Sequence, residues 1–477
     1  MIKHTRDAER KWIIHENGVY DITEFIEQHP GGEVILRACG GSIDPYWKLF
    51  TIHQKPEVYD ILKQYRIGCI DERDLRDGKI DWSVLGDDAN KFAVEDPFIN
   101  DPDRDQNLIV RTAKPCNAET PGSMLVDFLT PIRLFFVRNH FWVPQLHEAP
   151  QSITIELSNG EEKTYSLQDL KQRFKEHTIT VTLQCSGNRR AHMSKAAGGP
   201  TSGLQWDIGA ISTAEFSGVR LRDVLKDAGY CVDGDCAAPK QAQDDDCDKH
   251  VHFQSPSDTY AVSIPLQTAT NPQADVLLAW SMNGEPLNRD HGGPLRAIVP
   301  GSTAARSVKW LGKVSISCDE SESQWQKRDY KCFGPNRKAA ELSSADWDGA
   351  QAIQETPVQS AITNIAKAED SKKTLVQGFA FSGGGRCIER VDVSADAGKT
   401  WRQAELHQDK AKGSKRWAWT LWSIDWPQDI TDAQEIVEFV VKATDEAYNT
   451  QPQTFDSTWN FRGLLGNAWH SVPMPED

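Results

Sequence analysis

A chain of 477 residues is long enough for roughly two to four domains, and it holds no apolar run near the about 20 residues that a membrane span requires. Its formal net charge of −16 argues against a nucleic-acid partner, which would call for a basic stripe; an anionic substrate must instead be drawn in by a local cluster of arginines. Ten cysteines spread over this length lack the dense spacing of a disulfide-stapled secreted domain and read as mostly reduced.

In chain order, the opening "MIKHTRDAER" shows neither a signal peptide's apolar core nor a transit peptide's acid-poor character, so no address is expected in it. Residues 1–70 are compact and mixed. Residues 71–95, rich in Asp and Gly with few apolar residues, read as a flexible linker. Residues 96–340 form a longer irregular region, with strand-like runs at 152–157, 179–184, 261–266 and 307–317 and a helical "LRDVLKDAG" at 221–229. A polar stretch, 341–355, leads to 356–477, where apolar and polar residues alternate around a hairpin-type "DAGK" turn. That pattern predicts an all-β sandwich.

In the first region, "FIEQHPGGEVIL" sets His29 before Pro30-Gly31-Gly32, and His53 follows 24 residues later. Proline restricts the backbone at His29, and the glycines let the chain pass close to a bulky group. Either histidine alone reads as an ordinary turn or surface residue. Two imidazoles across an apolar pocket make a bis-histidine haem site. With "HPGG" and the closing "YRIG", residues 10–70 resemble the cytochrome b5 family, which implies that His29 and His53 are the axial ligands of a b-type haem.

At the end of the run "VTLQCSGNRR", Cys185 stands close to Arg189 and Arg190. A lone cysteine is most often a packed apolar side chain, but nearby positive charge favours a thiolate, which is either a soft metal ligand or a nucleophile. Its company is "FFVRNHFWVP" (135–144), "GLQWDIGAIS" (203–212), "RDHGGPLRAIVPGSTAARSVKW" (289–310) and "KRDYKCFGP" (327–335). In order and along most of the chain these segments resemble the sulfite oxidase family in its animal-type arrangement.

The resemblance implies an α+β multidomain protein: a b5-like haem domain (1–70), the linker, a mixed α/β molybdopterin-binding domain (96–340) and an immunoglobulin-like β-sandwich dimerisation domain (341–477). It makes Cys185 the thiolate ligand of molybdenum, which the molybdopterin dithiolene otherwise holds. Arg138, Arg190 and Arg462 would surround sulfite, with Trp206 and Tyr330 beside them; taken singly, Trp206 and Tyr330 read as packing residues. Phe136, Val137, Arg138, Asn139, His140, His291, Arg296, Ser307, Val308 and Lys309 would hold the cofactor, with Asp258 as an acidic contact. Sulfite would be oxidised to sulfate, and electrons would pass singly through the haem to cytochrome c. The family also implies a homodimer in the mitochondrial intermembrane space.

A nitrate reductase shares the cysteine and the cofactor, but the haem segment here comes first, and Arg462 and "WDIGAIS" resemble the sulfite side. Glu215 and Phe216 depart from the animal pattern, where Arg and Trp are usual. A non-catalytic haem carrier is disfavoured by the presence of Cys185 and the arginines. Cys231, Cys236, Cys247, His250 and His252 are a conceivable zinc set, yet their spacing is not a paired C-x-x-C, so they read as an irregular loop with incidental thiols. Residues 1–95 carry 18 acidic and 13 basic residues, which suits a basic electron acceptor. If the linker lets the haem domain dock and swing away, progressive deletions within 71–95 will slow haem reduction in stopped-flow while sulfite binding is retained.

Overall fold

The computed structural model describes residues 4–26, 29, 31–50, 53, 56–71, 73, 75–76, 79–80, 96–232, 250–255, 260–367, 373–408, 415–427 and 438–474. They divide into two compact units: Met1–Pro102 with Thr112–Asn117 and Arg138–Pro144, and the remainder.

In the first unit, Trp12–His15, Gly18–Asp21 and Arg66–Cys69 form a three-stranded antiparallel sheet in that order. Ile13 and Tyr20 from this sheet join Ile22, Ala38, Ile43 and Leu62 in one core. Three short helices follow, Gly32–Ala38, Asp44–Leu49 and Pro56–Lys63. Prolines stand in the first turns of the last two, where a missing N–H leaves no bond unmade. Where the linker is expected, Leu75–Arg76 and Lys79–Ile80 pair as a small ladder; residues 81–95 lie outside the described residues.

The second unit opens on a five-stranded sheet in the order Glu162–Ser166, Ser152–Glu156, Lys313–Ser317, His250–Gln254, Ala261–Pro265. Sequences such as SITIE, KVSIS and HVHFQ bury every second residue, the signature of a sheet with one covered face. A second sheet is built on His177–Gln184, Ile211–Arg220 and Leu277–Met282, with Arg296–Ile298 paired to the last of these. It carries the main buried cluster, in which Cys185 and Trp206 lie with Phe135, Phe136 and Phe216.

Towards the C-terminus, two four-stranded sheets face each other. One is ordered Gln359–Lys367, Lys373–Phe381, Thr420–Pro427, Glu405–His407, the other Arg402–Gln403, Ile388–Ser394, Glu438–Asp445, His470–Pro473. Val376, Ala380 and Trp422 from the first meet Val391, Val393, Phe439 and Val441 from the second in a shared core. The "DAGK" turn joins Ile388–Ser394 to Arg402–Gln403. There the Asp396 carboxylate accepts the Lys399 and Thr400 amides at 3.0 and 2.8 Å.

One expectation is corrected. The strand expected at 307–317 is only Lys313–Ser317, because the Ser307 hydroxyl accepts the Val299 amide at 3.0 Å and holds the start of the run as a loop. The reading of mostly reduced thiols needs one qualification, since Cys231 and Cys318 are each disulfide-bonded. Cys39, Cys69, Cys116, Cys185, Cys332 and Cys387 are free.

Phe439 is fully buried and meets Trp426 edge-on at 5.7 Å. Phe439→Ala removes a ring from between the sheets and should destabilise the sandwich by about 3–5 kcal/mol. An earlier urea transition, followed by tryptophan fluorescence, checks this.

Candidate molybdenum and haem sites

His29 precedes the helix Gly32–Ala38, and His53 lies between Asp44–Leu49 and Pro56–Lys63. Their rings are 6.1 Å apart between centroids and within 20° of parallel. A metal–imidazole bond is about 2 Å, so two rings ligating one ion from opposite sides have centroids on the order of 6 Å apart. Phe25 stands 5.8 Å from His29, and Trp47 and Phe50 stand 5.8 and 5.9 Å from His53. Burial, with the neighbouring His29 adding to it, pulls His53 down to about 4, so its ring is neutral at ordinary pH, as a metal ligand must be. The pair fits a bis-histidine haem.

Cys185 ends the strand His177–Gln184, with its amide bonded to Ala210 O at 2.9 Å and only 8% of its surface exposed. Next to it in the chain, or in the same buried cluster, Gln184 Oε1, Ser186 Oγ, Asn188 Nδ2 and Trp206 Nε1 are buried and have no hydrogen-bond partner among the described residues, and the same holds for Arg296 Nε on the paired strand Arg296–Ile298. A buried polar atom without a partner costs about 1–3 kcal/mol, and such a cluster beside one thiol fits a polar cofactor rather than a packed core.

The residues expected to hold that cofactor form two groups. In the second unit, Arg296 donates to His291 O at 2.8 Å and to Ser307 O at 2.9 Å, Val308 O accepts Ala297 N at 2.9 Å, and Lys309 Nζ reaches Asp290 O at 2.8 Å. Gly292, at φ +99°, passes so close beneath Lys309 that a Cβ would stand 2.8 Å from its side chain. Burial lowers Arg296 to about 9 and His291 to about 4. Phe136 and Val137 are buried nearby in sequence, the Phe136 amide donating to Ser212 Oγ at 3.2 Å. The other group lies in the first unit, where Arg138 donates to Asn117 Oδ1, Asn139 O and His140 Nε2 at 3.1, 2.6 and 2.8 Å. Asp258 lies outside the described residues.

Of the oxyanion candidates, Arg190 is buried, donating through Nε to Arg462 O at 2.9 Å and through Nη1 to Leu204 O at 2.6 Å. Arg462 thus returns to the Cys185 loop from 272 residues away. Its guanidinium pairs with Asp329, the residue before Tyr330, which is itself 6% exposed. Trp206 is fully buried, as its packing reading requires, yet its indole N–H is unpartnered among the described residues. Phe216 belongs to the same core, 5.8 Å from the Arg296 guanidinium, so the departure at this position touches the cofactor group.

Sequence reasoning missed Asp329, Glu119 and the distinct role of Arg189. For Asp329, in "KRDYKCFGP", an acid beside a candidate tyrosine was the available signal. Glu119 is buried, accepts the Asp207 and Gly209 amides and pairs with Arg111, and burial pushes its carboxyl up despite that arginine. The conceivable zinc set is dismantled in part: Cys231 is in a disulfide and His252 Nε2 meets Asp319 O at 2.7 Å. Cys236 and Cys247 lie outside the described residues.

Three family models match: an oxidoreductase molybdopterin binding domain over 140–325, a Mo-co oxidoreductase dimerisation domain over 350–476, and a cytochrome b5-like heme/steroid binding domain over 1–71. Fold and site together define a molybdopterin-binding oxidoreductase with a b5-type haem domain attached. A sulfite oxidase from Gallus gallus is 43% identical over 474 residues, 98% of this chain and 97% of that protein. The mitochondrial sulfite oxidase of Homo sapiens is 41% identical over 479 residues, 98% of this chain and 82% of that protein. This chain belongs to the sulfite oxidase family. The solved structure of the sulfane dehydrogenase SoxCD from Paracoccus pantotrophus matches with a TM-score of 0.60 at 24% identity, over 75% of this chain and 83% of that one, a likeness of fold alone. Among the described residues no helix is long and apolar enough to cross a membrane.

His291 supplies a pH test. Its folded value of about 4 lies below the ordinary 6.5, so the unfolded chain binds the proton first. The stability it contributes is present above about 6.5 and is lost as pH falls towards 4, at most about 3 kcal/mol for this group. Thermal unfolding of the cofactor-free protein between pH 7 and 4 should show that fall, and His291→Gln should make it smaller, the lowered His53 and His470 supplying the rest.

Proposed function

We propose that this protein oxidises sulfite to sulfate at molybdenum bound through Cys185, and passes the electrons through a haem held by His29 and His53 to cytochrome c. The observation that carries the reading is the hydrogen bond from the buried Arg190 Nε to Arg462 O, which brings the segment around Arg462 to the loop that follows the buried Cys185. Sulfite and water balance against sulfate, two protons and two electrons. When bound, the molybdenum cofactor supplies the two-electron redox chemistry and oxygen transfer, and the haem carries electrons singly.

The chain's own residues bind, orient and manage charge. Sulfite and sulfate accept hydrogen bonds only, which suits the forked, permanently charged guanidiniums of Arg138, Arg190 and Arg462. Trp206 Nε1 offers a further donor, and the Tyr330 hydroxyl can hold a proton near the anion. His291, Arg296, Ser307, Val308 and Lys309, with Phe136, Val137, Asn139 and His140, hold the pterin and its phosphate. Arg296 and Lys309 supply the cationic charge a phosphate needs.

The proposed division is haem domain 1–70, linker 71–95, catalytic domain 96–340 and dimerisation domain 341–477. Strand order in the last supports an immunoglobulin-like sandwich: numbered A to G along the chain with C′ after C, its sheets read A-B-E-D and C′-C-F-G. A homodimer through this domain, and a place in the mitochondrial intermembrane space, complete the reading.

The test is reduction of cytochrome c by protein with verified molybdenum and haem. Sulfite-dependent reduction that falls to background in Cys185→Ser, and weakens as salt is raised, is the expected result. No sulfite oxidation, with nitrate reduced by a dye instead, would overturn it.

A further inference from the structure

Arg189 and Arg190 are neighbours in sequence, yet they serve different parts of the fold. Arg189 sits in the left-handed region, at φ +64°, just before the short helix Arg190–Ser194. That torsion is unfavourable for a residue other than glycine, and the two side chains go to different partners. Arg190 holds Leu204 O and Arg462 O. Arg189 is 1% exposed and donates from Nη1 to Ala468 O at 2.6 Å and from Nη2 to Trp469 O at 3.1 Å. Its Nε lies 3.4 Å from His192 Nδ1, whose Nε2 meets Asp207 Oδ1 at 2.6 Å, and its amide donates to Asp207 O. Phe455 lies beneath the guanidinium at 5.9 Å.

Between these two anchors the segment 460–470 is held to the same loop along its backbone. Ser202 N donates to Phe461 O at 2.8 Å and Leu465 N to Ser186 O at 2.7 Å. Gly463, at φ +59°, lies so close that a Cβ there would stand 2.5 Å from Arg190 Cγ. Asn460 closes the turn on itself through Leu464 N and O. Arg462 is part of this strap, so where its guanidinium stands depends on how the strap is fixed. A buried guanidinium hydrogen-bonded to main-chain carbonyls and no carboxylate is costly unless those bonds are all made, which makes it a stiff fastener.

We propose that Arg189 is a positioning residue: by tying Ala468 and Trp469 to the Cys185 loop, it sets where Arg462 stands relative to Cys185. The kinetic part of this inference rests on the sulfite reading above; the structural part does not.

The test uses Arg189→Gln, Arg189→Lys and the double variant Arg189→Gln/Arg462→Gln. In cofactor-free protein, hydrogen exchange of 460–470 and 185–190 should quicken in Arg189→Gln while the sandwich strands keep their protection. In the loaded enzyme, KM for sulfite should rise by at least about tenfold with a smaller fall in kcat, as expected for a misplaced binding group. Arg189→Lys, able to reach one carbonyl, should fall between. Once Arg462 is replaced, adding Arg189→Gln should change KM little, because the group it positions is gone. Full additivity of the two substitutions would overturn the proposal. So would a wild-type KM in either folded variant, or exchange that quickens equally throughout the sandwich. Should Arg189→Gln fail to fold, Arg189→Lys decides the same points. Should the wild type not oxidise sulfite, the functional reading fails, while the exchange measurements still judge the strap.

Discussion

A guanidinium taken out of water must have its donors met, and the molybdenum side of this protein is organised around that demand. Arg189, Arg190, Arg296 and Arg306 are all buried, and the hydrogen bonds they make go mainly to main-chain carbonyls: Ala468 and Trp469, Leu204 and Arg462, His291 and Ser307, and Ile353. A carbonyl satisfies a donor without cancelling its charge. These bonds therefore leave the guanidinium charges uncancelled, in a chain that is strongly acidic as a whole.

The same demand explains why sheets far apart in sequence belong to one site. The strand His177–Gln184 delivers Cys185, the loop after it turns through Arg189, and the carbonyls that complete the arginines come from the segment leading into the sandwich strand His470–Pro473. His470 fastens that segment from the other side, its Nδ1 accepting the Ile362 amide at 3.0 Å. Accepting through Nδ1 requires a neutral ring, and burial beside Arg189 and His192 holds His470 well below its ordinary value. Sandwich and catalytic sheet are thus joined by bonds that depend on charge state as well as on packing.

What the sequence revealed followed the range of each signal. His29 was legible because its motif is local, and His53 because the resemblance to the cytochrome b5 family extends through it. Cys185 stood out through the cations beside it, and the sandwich through period-two alternation, which packing only reinforces. Trp206 was read correctly as a packing residue by itself, while its unpartnered indole N–H had no sequence signal. Arg189 was indistinguishable from Arg190, since its partners are backbone carbonyls 279 and 280 residues away and any residue supplies a carbonyl. The strand expected at 307–317 failed because apolar alternation does not reveal a serine hydroxyl that captures a backbone amide.

The separation between Arg190 and the carbonyl it bonds, 272 residues, also has a meaning in time. At a synthesis rate of about 5–20 residues per second, Arg462 leaves the ribosome roughly fifteen to fifty seconds after Arg190. For that interval the cysteine loop exists with its arginines hydrated and its far wall missing. The pairing of this loop with the segment around Arg462 is therefore among the last contacts of the fold to close.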